Sequence, residues 1–246
     1  RKGMQLVRGE YVDVQEDLTS LLIGALSFLA VRWVFLTFGF RQLAKYCLAY
    51  DDTKPPPPKE EGKKGENPDA EVEKFCKYGW HMVVYVALWI WGLKVMQESS
   101  WSLLNTGSVD PCWVGYPHKG SEKPVVKLFI MTQVAWYCST FIESLMVDRG
   151  RGDFWMMMIH HVLAVVLLAG AYWGNAHRVA ITVVFEQDIS DILVYLSKMI
   201  NKSGKRWPVC SGSFVDILLL LMICTAWWST RIGLLGFIVY SCFKTI

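Results

Sequence analysis

The chain has 246 residues, 53% of them hydrophobic and 19% charged, with a mean hydropathy of +0.28. Soluble domains are usually about 45–50% apolar and about 25% charged, so this balance excludes an ordinary water-soluble globule and points to an all-α, polytopic transmembrane bundle. A net charge of +3, with no basic stripe interleaved with aromatics, argues against a nucleic-acid partner.

Apolar runs of about 20 residues, the length that crosses about 30 Å of hydrocarbon, fall at 18–40, 79–97, 124–147, 154–173, 177–200 and 214–242. They predict six spans, the last long enough to hold a tilt or a kink. Residues 1–50 form an N-terminal segment with the first span. Residues 51–73 contain Pro55-Pro56-Pro57-Pro58 among many Lys and Glu; such a stretch cannot bury a core and reads as a solvated linker. Residues 74–246 form the main membrane domain. Because the chain opens at Arg1 rather than Met and stops beside an apolar run at Ile246, it is expected to be part of a longer protein with a further C-terminal span.

The 12 Trp and 10 Tyr suit interfacial belts. The seven cysteines are odd in number and form no Cys-x-x-Cys pair, so they read as small hydrophobes rather than a disulfide framework. Lys and Arg concentrate in 41–78, 148–153 and 198–213, among them Arg41, Lys45, Lys74, Lys77, Arg149, Arg151, Lys198, Lys202, Lys205 and Arg206. The excess of positive charge predicts that these segments are cytosolic and that the N-terminus and the 98–123 loop lie on the other side.

Inside the fourth run stand His160 and His161; inside the fifth, Glu186, Asp188 and Asp191. A carboxylate at a helix centre costs about 2.5–3.5 kcal/mol on insertion scales, so ionisable groups at this depth point to function. At 1.5 Å per residue the histidines lie about 10–12 Å in from Asp153, and the aspartates about 15–20 Å in from Asn201. Two antiparallel helices joined by a short turn would bring both sets to similar depth. Asp188 and Asp191 share a helix face. The two imidazoles are about 100° apart, so only one can point squarely at those carboxylates.

A neutral imidazole accepts a proton near physiological pH, and an adjacent carboxylate fixes its tautomer. An imidazole can also attack a thioester and carry the acyl group. With no serine or cysteine in a nucleophile-elbow pattern, acyl transfer assisted or carried by histidine fits best. No metal is expected, because the spaced histidine boxes of membrane di-iron enzymes are absent: only His81, His118 and His177 remain, all near run ends. Arg32 reads as a snorkelling or headgroup-facing residue. Glu143 and Arg231 read as a structural pair within the bundle.

The stretch Arg151-Gly152-Asp153-Phe154-Trp155, then His160-His161, Tyr172, Asn175, Arg178, Asp188-Ile189-Ser190-Asp191 and Lys198-Met199 resembles the Lag1 motif of ceramide synthases, within the wider TRAM–Lag1–CLN8 domain. Upstream, Glu73-Lys74-Phe75 with Trp80 and Tyr85, and the run Cys112-Trp113-Val114-Gly115-Tyr116-Pro117-His118, are similar to the same subfamily, as is Arg231 downstream. The chain departs from the family pattern at Gln187, where histidine is common, at Ala164, where threonine is common, and at Gly152, where a basic residue is common. No homeobox-like domain separates the first two spans.

The resemblance implies N-acylation of a sphingoid base by a fatty acyl-CoA at the endoplasmic reticulum membrane, with no cofactor beyond acyl-CoA as co-substrate. It implies catalytic roles for His160, His161, Asp188 and Asp191. Substrate contacts are expected from Arg149, Arg151, Tyr172, Asn175, Arg178, Ser190 and Arg231. The expected partners are the sphingoid base, the acyl-CoA and membrane lipid, with a homo- or hetero-dimer as a possible assembly. The main rival is a non-enzymatic lipid-sensing or translocon-associated member of the same domain class. A second rival is a proton-relay transporter, for which no inverted repeat is evident.

Overall fold

A computed structural model describes residues 5–7, 10–12, 14–48, 68–118, 124–150, 152–203 and 213–245. The chain opens with two short antiparallel strands, β1 (Gln5–Val7) and β2 (Glu10–Val12), in the register Leu6 opposite Tyr11. Among the described residues the elements after them are helical: α1 (Val14–Phe35), α2 (Arg41–Cys47), α3 (Pro68–Gln97), α4 (Leu103–Thr106), α5 (Pro124–Val147), α6 (Phe154–Trp173), α7 (His177–Ser203), α8 (Ser213–Trp228) and α9 (Leu235–Thr245). The strands were not foreseen, and they qualify the all-α expectation without displacing it.

Two of the long helices pass through π-helical turns, Leu36–Phe40 between α1 and α2 and Ser229–Leu234 between α8 and α9. Among the described residues, five stretches are long and apolar enough to cross a membrane: Gln15–Cys47, Asp69–Gln97, Pro124–Val147, Phe154–Trp173 and Leu219–Thr245. The protein is therefore a multi-pass helical membrane bundle. The remaining expected span, the fifth run at 177–200, corresponds to α7, which at 27 residues has the length but is not among the stretches apolar enough to cross. It carries Arg178, Glu186, Asp188, Asp191, Lys198 and Lys202 along its course.

Of the expected linker 51–73, residues 51–67 lie outside the described ones and 68–73 form the first turns of α3. Asp69 and Glu71 stand in that first turn, where the helix dipole favours negative charge. Val72 and Phe75 are buried against Ala44, and packing of this kind carries a helix start into a segment whose composition reads as solvated.

The chain divides into two compact units: residues 1–31, 88–186 and 233–246 form the first, and residues 32–87 and 187–232 the second. The first unit is centred on α5, whose Phe129, Ile130, Val134 and Trp136 are almost fully buried. Phe28 of α1 meets Trp136 edge-on with ring centroids 5.3 Å apart, and Trp89 of α3 stacks on Phe185 of α7 at 5.5 Å. Gly24 lets α1 close on α5, since a side-chain carbon there would stand 2.9 Å from the Ala135 Cβ. In lipid there is little hydrophobic drive between helices, so close approach of this kind supplies much of the packing.

The segment after α3 is pinned by its own polar groups. Ser102 caps α4 by accepting from the Asn105 backbone N–H, and the Asn105 amide donates to the carbonyls of Met96, Gln97 and Ser99. Cys112 is buried beside the Thr182 hydroxyl, and burial pushes its thiol pKa up. Asp110 accepts from the Ser241 hydroxyl at 2.7 Å and from the Lys244 ammonium at 3.0 Å. These two contacts hold the Asp110 carboxyl below its usual range, and they tie this segment to the end of α9.

In the second unit, Ala44, Val72, Phe75 and Cys76 form a small core. Phe40 stacks on Phe35 and lies over Phe75, and the ring of Phe40 occupies the space that a side chain at Gly79 would need. Tyr195 of α7 gathers Tyr78, His81 and Tyr85 of α3 around it, and the Lys198 ammonium lies 5.0 Å from the Tyr195 ring centroid. Glu71 bridges Lys74 and Lys202, joining the start of α3 to the end of α7.

Candidate functional site

The α6 helix packs along α5 and shows most of its remaining surface to the surroundings, with Trp155, Met156, Val166 and Leu167 exposed. This places its buried face with Met158, His161 and Leu168. His161 is 8% exposed, whereas His160 is on the exposed face. The two rings stand 5.7 Å apart. The 100° step between adjacent helical residues accounts for one imidazole turning in and the other out.

The buried imidazole meets α5. His161 Nδ1 lies 3.4 Å from the hydroxyl of Thr140, which is 2% exposed. That hydroxyl also donates to the Tyr137 carbonyl at 2.9 Å. Three and four positions beyond Thr140 the same helix carries further buried polar groups, Glu143 and Ser144. Sequence reasoning assigned no site role to Thr140. Ser139, Thr140, Glu143 and Ser144 within an otherwise apolar run were the available signal.

On α7, Asp188 is fully buried at 0% exposure. Asp191 is engaged: its Oδ1 accepts from the Arg231 guanidinium at 2.8 Å, with the two side chains 22% and 17% exposed. The Ser190 hydroxyl donates to the Gln187 carbonyl at 2.8 Å and accepts from Arg231 Nε at 3.4 Å. Arg231 itself stands on the π-helical turn Ser229–Leu234, the kind of helix irregularity that recurs at functional sites. Three of the sequence-predicted residues, Ser190, Asp191 and Arg231, thus form one polar cluster in the second unit.

Other predicted residues serve the turn between α6 and α7. The Tyr172 hydroxyl donates to Asp17 at 2.9 Å, and Asp17 also holds Lys127 at 2.9 Å, joining the starts of α1 and α5 to the end of α6. Asn175 adopts a left-handed backbone with φ of 57°, and its carbonyl accepts from the backbone N–H of His118. Arg178 donates to the Val114 carbonyl at 3.3 Å and lies over the Trp101 ring. Tyr172 is eleven residues beyond His161, about 16 Å along the helix axis, so these three hold the opposite end of α6 from the histidines.

Arg149 is exposed and its Nε donates to the Leu145 carbonyl at 2.6 Å, folding back on the end of α5. Arg151 lies outside the described residues, as do Lys205 and Arg206. Among the described residues no group of three or more His, Cys, Asp or Glu is disposed to hold a metal ion.

The fold defines a class, the multi-pass helical membrane protein. A family model described as the TLC domain, covering TRAM, LAG1 and CLN8, matches residues 74–246, and the chain belongs to that family. It is similar to ceramide synthase hyl-1 of Caenorhabditis elegans, 28% identical over 170 residues that make up 69% of this chain and 43% of the relative. Ceramide synthase 4 of Homo sapiens is 32% identical over 144 residues, 58% of this chain and 35% of that protein. The sphingosine N-acyltransferase-like protein ALT7 of Alternaria alternata is 22% identical over 249 residues, 98% of this chain and 51% of the relative. The chain thus spans between about a third and a half of the length of these relatives.

Proposed function

We propose that this chain carries the acyl-transfer core of a ceramide synthase, moving a fatty acyl group from acyl-CoA to the amine of a sphingoid base. The observation that supports it most is a histidine pair at membrane depth with one imidazole buried in the seam between α5 and α6 and a hydroxyl at its Nδ1. The amine nitrogen bonds to the thioester carbon, the carbon–sulfur bond breaks, and one amine proton passes through histidine to the departing CoA thiolate. Free sphingoid amines resemble lysine and are largely protonated near neutrality, so the reaction needs a base. His160 or His161 accepts the proton or first carries the acyl group, and Asp188 and Asp191 keep the catalytic roles that the family likeness implies.

The CoA would stay at the cytosolic face near Arg149, Arg151 and the 198–206 basic run, with both alkyl chains among the helices. We place the protein in the endoplasmic reticulum membrane. We also read α7 as a sixth crossing. In the first unit the start of α7 adjoins the end of α6, Asn175 is tied to His118, and Asp110 of the same segment is tied to the end of α9. An α9 that ends where α7 begins supports a reading in which α7 crosses and α8–α9 return.

The test is acyl transfer from labelled acyl-CoA to sphinganine, with the product identified by mass spectrometry. His160→Ala and His161→Ala are each expected to reduce ceramide formation at least about 100-fold, the low end of what a positioned acid–base group contributes, while membrane insertion is unchanged. Full activity in both variants would remove the histidines from the chemistry. Lipid binding without any ceramide product would favour the non-enzymatic reading.

A further inference from the structure

We infer that Thr140 is a positioning residue that selects the tautomer of His161, making Nε2 its reactive nitrogen. This rests on the reading of His161 as a base or acyl carrier. The argument is one of hydrogen counting. A threonine hydroxyl has a single hydrogen and two acceptor lone pairs. That hydrogen is committed to the Tyr137 carbonyl, 2.9 Å away on the preceding turn of α5. Toward His161 Nδ1, at 3.4 Å, the oxygen therefore offers a lone pair and can only accept. The imidazole must then carry its hydrogen on Nδ1, which leaves the lone pair on Nε2.

The surroundings make the selection matter. Thr140 and His161 are both buried, so no bulk water competes for Nδ1, and an unmatched polar pair in such a place goes uncompensated. The wrong tautomer would set two lone pairs against each other. The contact also fixes the ring's rotation, since α5 and α6 are packed against one another along this seam. Orientation and tautomer control of a catalytic imidazole is usually assigned to a carboxylate. In this chain a hydroxyl already bonded to its own helix stands at the Nδ1 of His161.

The role differs from simple packing in what its loss should change. Thr140→Val keeps the shape and removes the hydroxyl; Thr140→Ser keeps the hydroxyl and removes the methyl. Loss of one neutral hydrogen bond corresponds to a factor of up to about ten in rate. With the whole protein in lipid nanodiscs, Thr140→Val is expected to lower kcat about tenfold while leaving the KM for acyl-CoA unchanged, and to displace the acidic limb of the pH–rate profile. Thr140→Ser is expected to restore both.

The tautomer is read independently of turnover by nitrogen-15 resonance of histidine-labelled protein, with His161→Gln assigning the signal. Wild type is expected to show hydrogen on Nδ1 above the imidazole transition, and Thr140→Val to lose that preference. An Nε2–H tautomer in wild type would overturn the inference, as would a Thr140→Val enzyme with an unaltered pH profile and kcat. If wild type makes no ceramide yet shows the Thr140-dependent Nδ1–H tautomer, the functional reading fails and the positioning of His161 stands.

Discussion

Asp188 and Asp191 sit three residues apart on α7 and look interchangeable by spacing, yet their surroundings differ. Asp191 is the counter-ion of Arg231, and both are mostly withdrawn from the surface; Asp188 is withdrawn completely. Breaking a buried ion pair by removing one partner typically costs about 3–5 kcal/mol, because the other charge is left uncompensated. Asp191→Asn and Arg231→Gln are each expected to lower thermal stability by a cost of this order, about 3–5 kcal/mol. The double variant Asp191→Leu/Arg231→Met should recover much of that loss. Thermal unfolding in one detergent, run as a double-mutant cycle, reads the coupling directly; additive losses would show that the pair contributes nothing as a pair. Glu186 presents the opposite case: it is 8% exposed and its Oε1 has no hydrogen-bond partner among the described residues. At this scale the histidine motif was legible because its signal is local. Thr140 was not, because a threonine in an apolar helix announces nothing until the residue across the seam is known.

Among the elements, α9 and the segment after α3 are held together through Asp110, Ser241 and Lys244. The Asp110 carboxyl is held down first by the Ser241 hydroxyl and then by the Lys244 ammonium. A group whose folded pKa is depressed contributes stability above its unfolded value, about 3.9 for aspartate, and loses it as pH falls through the folded value. The tie should therefore be intact at neutral pH and weaken only below about pH 4. Hydrogen exchange of Leu235–Thr245 is expected to speed up relative to α5 as pH is lowered through that range, after correction for intrinsic rates. Asp110→Asn should show the faster exchange already at neutral pH. Equal protection of α9 in wild type and Asp110→Asn would mean that the contact holds nothing. The α3 boundary teaches a related lesson. Charge and proline dominate the composition up to residue 73, whereas Val72 and Phe75 find a buried partner only once α2 is in place.

For the whole molecule, the count of crossings decides which ends of the helices share a side of the membrane. With α7 as a crossing, the 98–123 segment and the end of α9 lie on one side and residues 204–212 on the other. Glycosylation acceptor sites inserted at 119–123 and at 204–210 test this. Modification is expected at the first and not at the second, and modification at both would reduce α7 to a helix that does not cross. Length, apolar fraction and the periodic runs determined that the chain is a multi-pass helical bundle, because crossing about 30 Å of hydrocarbon demands about 20 apolar residues whatever surrounds them. The order of the histidine and aspartate motifs likewise belongs to the sequence, since residues on one or two helices keep their spacing in any packing. Which imidazole is buried, what stands at its Nδ1, and which aspartate is neutralised by Arg231 were decided only by tertiary structure. Each depends on a side chain brought from a different helix, and no spacing along one chain segment determines the face that a neighbour presents.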